Sequence, residues 1–196
     1  MSAPTIPADW SAVVSPLLNA IEERRRSTAL VGLFGSAKGL VLSALAGRLA
    51  DRKTSMLVVT PTDEAAERLH ADVAFFHRLQ GAAPDDVLLF PDWGVLPYAS
   101  APPVEVIGQR MRVLDRLRRA DRGLALIVPV TAFLQRLLPR SLFAEACFSL
   151  KQADTIERAP LVTRLLWIGY RQVSVVENPG EFAVRGGIVD LFSTAH

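Results

Sequence analysis

Four short apolar runs, TALVGLF, SMLVVTP, DDVLLFP and LALIVPV, recur between residues 28 and 130, with helix-patterned stretches between them. Each is rich in Val, Leu and Ile and lacks polar alternation, as strands buried on both faces do. Such strands form parallel sheets with helices as crossovers, so the expected fold is a doubly wound α/β domain. The crossover after the second run is well marked. Thr60 is placed to cap its helix, Pro61 to open it and Asp63 to fill its third position, and Leu69, Val73, Phe76 and Leu79 continue an inward stripe. Ahead of the first run, Trp10, Val13, Val14, Leu17, Leu18 and Ile21 give a leading helix one apolar side.

The 196 residues, 50% of them hydrophobic, suffice for one large core or two modest ones. The longest apolar runs fall short of the roughly 20 residues of a membrane helix, and the N-terminus lacks a secretory pattern. A cytoplasmic protein without a membrane partner is expected. The single cysteine, Cys147, excludes an internal disulfide and reads as a small buried hydrophobe, and His70, His77 and His196 are too scattered for a metal site. A formal charge of +2 does not argue for nucleic acid. Local arginine clusters do invite the question: EERRRS, and QRMRVLDRLRRADR in the second half. In the latter, an apolar stripe of Ile107, Met111, Leu114 and Leu117 turns Arg110, Arg112, Arg116, Arg118 and Arg119 outward, as a solvated face or a surface for duplex DNA. Between the third run and this helix, FPDWGVLPYASAPPVE reads as a structured loop, either a functional one, as loops after sheet strands are, or one that Trp93 and Tyr98 pin by packing.

The first run leads into a glycine-rich turn with a lysine, FGSAKG, the position of a phosphate-binding P-loop. That motif needs G-x-x-x-x-G-K-[ST]: glycines admit the phosphates to backbone N–H groups, lysine neutralises them, and the hydroxyl holds magnesium. Gly32 and Lys38 fit. Ala37 stands where the second glycine belongs and Gly39 where the hydroxyl belongs, while Ser36 lies on the wrong side of the lysine. Nor does any strand end in a carboxylate suited to magnesium; Asp190 lies too far along the chain. The loop of Gly32, Gly35, Ser36, Ala37, Lys38 and Gly39 is therefore expected to be degenerate, a structural corner with no catalytic residue.

From about residue 147 the pattern changes. FSLKQADTI alternates as a strand does, ERAPLVTRLLWIGY suits a short helix, and RQVSVVENPGEFAVRGGIVDLF reads as antiparallel strands joined at Asn178-Pro179-Gly180. The expected organisation is a leading helix and linker over 1–27, an α/β domain over 28–146 and a smaller α+β domain over 147–196.

GLFGSAKGLVL, LLFPDWGVLPY, GQRMRVLDRL, ALIVPVTAFLQRL and GYRQVSVVENPGEFAVRGGIVDLF, in this order, resemble the N-terminal region of the bacterial transcription-repair coupling factor family, Mfd. The region also resembles the first part of the excision-repair subunit UvrB. The broken loop and the proline-rich segment after the third run favour the coupling factor, because UvrB keeps an intact P-loop and has a tyrosine-rich hairpin there. The resemblance implies a P-loop (RecA-like) first domain with a degenerate nucleotide loop and a UvrB-domain-2-like second domain that binds UvrA. It further implies a motor region elsewhere that uses ATP and magnesium on double-stranded DNA and contacts RNA polymerase, with no cofactor in this segment. Arg185 matches an arginine of the UvrA interface, and Arg171 and Phe182 flank the same hairpin. In the family a further strand follows, so a chain ending at His196 resembles a truncated piece. The alternative is an N-terminal piece of a UvrB-type or other helicase that binds ATP and DNA directly.

Overall fold

The computed structural model describes residues 11–95 and 101–194, so Trp10, Tyr98 and His196 lie outside the described residues. Its helices are α1 (Ser11–Glu22), α2 (Ala37–Asp51), α3 (Asp63–Leu79), α4 (Val104–Arg119), α5 (Val130–Phe133), α6 (Arg140–Ala146) and α7 (Arg158–Trp167). Its strands are β1 (Met56–Thr60), β2 (Val87–Leu89), β3 (Ala125–Pro129), β4 (Arg171–Gln172), β5 (Glu181–Arg185) and β6 (Ile188–Leu191). By contact the chain divides into two compact units, Met1–Asp92 with Arg119–Phe133, and Trp93–Arg118 with Leu134–His196.

In the first unit, three of the four apolar runs form a parallel sheet in the order β1-β3-β2. Val58 pairs with Ile127, which pairs with Leu89, and one residue back Leu57, Leu126 and Leu88 pair. Side chains alternate across a strand. Met56, Val58, Val87, Leu89, Ala125 and Ile127 therefore share one face, where they pack with Ala46 and Leu42 of α2 and Ala66, Leu69 and Val73 of α3. Each large aliphatic side chain buried there stabilises the unit by ~1.5–3 kcal/mol.

Several expectations fail in this unit. Residues 28–34 form no strand, and Val31 and Phe34 are more than four-fifths exposed. Apolarity marks a run as suited to a sheet but does not supply a neighbour; here Leu30 and Leu33 border an open cleft beside α2 instead. The sheet is also not covered on both faces at β1, where Leu57 and Val59 remain about half exposed. The helix start is displaced as well: Thr62, not Thr60, caps α3, its Oγ1 accepting from Ala65 N at 3.1 Å, while Thr60 Oγ1 donates to the Thr62 carbonyl. The inward stripe of α3 runs Ala66, Val73 and His77, and Leu79 faces solvent. In α1, Val14 and Ala20 are buried but Ile21 is exposed.

The second unit contains α4, α6, α7 and a small sheet of order β4-β5-β6. The strand expected over FSLKQADTI is absent. Asp154 folds that segment back, its carboxylate accepting from Lys151 N at 2.8 Å and its own amide donating to the Lys151 carbonyl. Strands β5 and β6 are antiparallel and joined at Gly186-Gly187, whereas β4 runs parallel to β5. Asn178-Pro179-Gly180 is thus the entry to β5, not a hairpin turn. In helix α4 the buried positions are Gly108, Arg110 and Val113, whereas Ile107, Met111, Leu114 and Leu117 of the expected stripe are only partly buried, so Arg110 points inward instead of outward. Its guanidinium lies 3.8 Å over the Trp93 ring and donates to Gln135 Oε1 at 2.8 Å, so Trp93 does pin its loop, through an arginine.

Candidate functional site

The lysine loop keeps the backbone of a tight turn. Gly32 and Gly35 have φ of +81° and +53°, a region that favours glycine. The rest of the loop is shaped by α3. Ser36, at the N-cap of α2, makes no capping bond with its side chain and donates from Oγ to Asp72 Oδ1 at 3.2 Å. Gly39 is buried, and a Cβ placed on it would lie 2.5 Å from Asp72 Cβ and 3.0 Å from the Asp72 carbonyl carbon. A serine or threonine therefore has no room there, and the missing hydroxyl has a packing cause. The Asp72 carboxylate also brings negative charge to the first turn of α2, where a phosphate would need positive charge.

Lys38 is exposed and borders an open cleft of about 420 Å³ lined by Leu17, Leu30, Leu33, Val41 and Leu45. A polyphosphate would find one cation and a leucine wall. The residues present do not fit ATP with magnesium. Among the described residues no group of His, Cys, Asp and Glu could hold a metal ion.

The second candidate is the face of the small sheet. Arg171 pairs with Glu181 in register across β4 and β5, and Ala183 and Arg185 follow at alternate positions on β5. The period of two puts Arg171, Glu181, Ala183 and Arg185 on one face, with Asp190 and Ile188 of β6 beside them. The two arginines stand ~13 Å apart along the strands. Arg171 donates to the buried Glu181 carboxylate, and Arg185 to Asp190. Both guanidinium groups remain largely open to solvent, with side chains 72% and 62% exposed.

Glu181 organises this face. Its Oε2 accepts from the backbone amides of Glu177 and Asn178, each at 2.9 Å, and Oε1 accepts from Asn178 Nδ2 and Arg171. The Glu177 amide, then Arg171 and the Asn178 amide, hold its carboxyl down to about 2. From α7, Arg158 Nη1 donates to the Gly186 carbonyl and fixes the β5–β6 turn. Phe182 faces the other way and is fully buried, so it supports the hairpin from below and offers no surface to a partner.

Sequence reasoning nominated Arg171, Phe182 and Arg185 but not Glu181, Asp190 or Asp72. For the first two a signal existed: a carboxylate two positions from a strand arginine on the diagonal, or at its paired position, is a cross-strand partner. For Asp72 none existed, because α2 and α3 meet only in the folded unit.

Residues 148–196 match the family model of the UvrB interaction domain, which covers α7 and the whole small sheet. The chain is 33% identical over 162 residues to the transcription-repair-coupling factor of Escherichia coli (strain K12), covering 82% of this chain and 14% of that protein. It is 33% identical over 183 residues to that of Myxococcus xanthus, covering 91% of this chain and 15% of that protein.

The chain is homologous to a segment of the transcription-repair-coupling factors, and its last part to the UvrB interaction domain.

It spans about one-seventh of the length of these curated relatives. The UvrB interaction domain match falls on α7 and the small sheet, so it takes in the arginine face and not the lysine loop. No helix among the described residues is long and apolar enough to cross a membrane.

Proposed function

We propose that this segment recruits the damage-recognition subunit UvrA, by presenting the surface that UvrB also presents, and that it does so without catalysis of its own. The observation that carries the reading is the shared sheet face of Arg171 and Arg185, each held by a carboxylate yet largely open to solvent. Arginines braced in this way are already ordered before a partner arrives, which lowers the entropy lost on binding. A partner carboxylate can take up the free edge of either guanidinium fork.

The first unit then serves as a RecA-like scaffold whose loop binds no nucleotide, given the Asp72 carboxylate and the crowded Gly39. ATP and magnesium act in a motor region of the full-length family protein, which translocates on double-stranded DNA and contacts RNA polymerase. The helicase alternative, in which this segment itself binds ATP, has the geometry of the loop against it. Competition tests the proposal: excess chain should displace UvrB from UvrA, whereas displacement by neither the chain nor its folded variants would remove the basis for a shared surface.

A further inference from the structure

The segment between α5 and the core of α6 has no role in either site. Arg110 Nη1 holds Gln135 near its start, and Phe143 is buried at its end. Between these anchors Leu134, Leu137, Leu138 and Leu142 are 76%, 51%, 58% and 45% exposed. Arg136 and Arg140 stand among them, also exposed, and neither has a carboxylate partner among the described residues. From Thr131 to Ala144 the sequence contains no Asp or Glu. Isolated exposed leucines need no explanation, but four within nine residues, tethered at both ends and interleaved with free cations, do.

We infer that residues 134–142 form a docking surface for an acidic amphipathic protein segment, with leucines meeting its apolar stripe and Arg136 and Arg140 meeting its carboxylates. Charge complementarity selects this occupant. A phosphate backbone would engage the two arginines and leave the leucines facing water, since nucleic-acid surfaces are built mainly from cations and polar groups. A lipid surface calls for a long amphipathic helix, and this segment is an extended stretch broken by Pro139 before a seven-residue helix. Anchoring at Gln135 and Phe143 keeps the surface ordered, so binding loses little chain entropy. This surface is separate from the arginine face of β5.

The test uses the isotope-labelled 196-residue chain and a helical peptide whose leucines recur every third and fourth position, flanked by glutamates. Amide shifts should map to residues 134–142. Affinity should fall about tenfold both in Leu137→Ser/Leu138→Ser and in Arg136→Glu/Arg140→Glu, with melting temperature unchanged because these side chains are exposed. Binding to UvrA should not change in either variant. The inference is overturned if the peptide fails to bind, if a lysine-flanked version binds as well, if duplex DNA or phosphatidylglycerol vesicles displace it, or if the shifts fall elsewhere.

Discussion

Gly39 of α2 and Asp72 of α3 approach so closely that a single methyl group on Gly39 would lie 2.5 Å from Asp72 Cβ. This contact turns a residue that looked like a lost metal ligand into a packing requirement. Restoring the motif's hydroxyl by Gly39→Ser should therefore cost stability without restoring nucleotide binding. Helix propensity alone favours Ser over Gly by roughly 0.5 kcal/mol, whereas overpacking costs ~1–3 kcal/mol, so urea denaturation should show a net loss. A stabilised Gly39→Ser variant that binds ATP in the presence of magnesium would contradict the account.

His77 should make the first unit acid-sensitive near neutral pH. It is fully buried, with Asp86 Oδ2 4.0 Å from its Nε2, Arg122 on the same carboxylate at 3.2 Å, and Ser43 of α2 beside it. Burial lowers its pKa from 6.5, outweighing the pull of Asp86. The unfolded chain then takes up a proton more readily than the folded one, so this contribution is complete above about pH 6.5 and declines as pH falls from there towards the folded value. Denaturant midpoints between pH 7.5 and 5 should drop in the wild type and flatten in His77→Gln; equal slopes for the two proteins would exclude His77 as the source.

Glu181 acts over a lower window. Its carboxyl is held at about 2 instead of 4.5, so the stability it supplies is present above pH 4.5 and lost as pH falls towards 2. Glu181→Gln should lower the melting temperature at pH 7 and remove that acid-dependent fall, since an amide group cannot accept from two backbone N–H groups and Arg171 at once. Circular dichroism melts at pH 7 and pH 3 distinguish the outcomes.

Arg110→Ala should destabilise the second unit by at least ~2 kcal/mol, through loss of a buried charge-assisted hydrogen bond and of the stack on Trp93. Trp93 emission should shift to the red as its ring opens to water. Stability unchanged within ~0.5 kcal/mol would mean that Arg110 is not the pin of this loop.

Features that rest on local pattern were the legible ones. Three parallel strands, α3 and the β5–β6 strands follow from periodicity close in sequence, although the turn between the last two is Gly186-Gly187 and not the expected Asn178-Pro179-Gly180. What failed depends on remote neighbours. Residues 28–34 have the composition of a strand, but a strand exists only where another strand offers its edge, and sequence does not say which edges are free. Arg110 sits at a helical position that pattern alone assigns to solvent, and the Trp93 ring and Gln135, brought in from two other segments, help to make its burial tolerable. Thr62 displaced Thr60 as cap by two residues, the usual uncertainty of a helix boundary. At the arginine face, Arg185 was nominated from a resemblance and Arg171 from its place beside it, while the burial of Phe182 follows from the alternation of β5, which places it opposite them.

The central claim, that the second unit rather than the lysine loop carries the interaction, is tested most directly by titrating UvrA with the chain and with two variants, Arg185→Ala and Lys38→Ala. Truncation of a hot-spot arginine costs ~2 kcal/mol or more, so Arg185→Ala should bind about thirtyfold more weakly or worse, while Lys38→Ala binds as the wild type does. Full affinity in Arg185→Ala, or a matching loss in Lys38→Ala, would contradict the account.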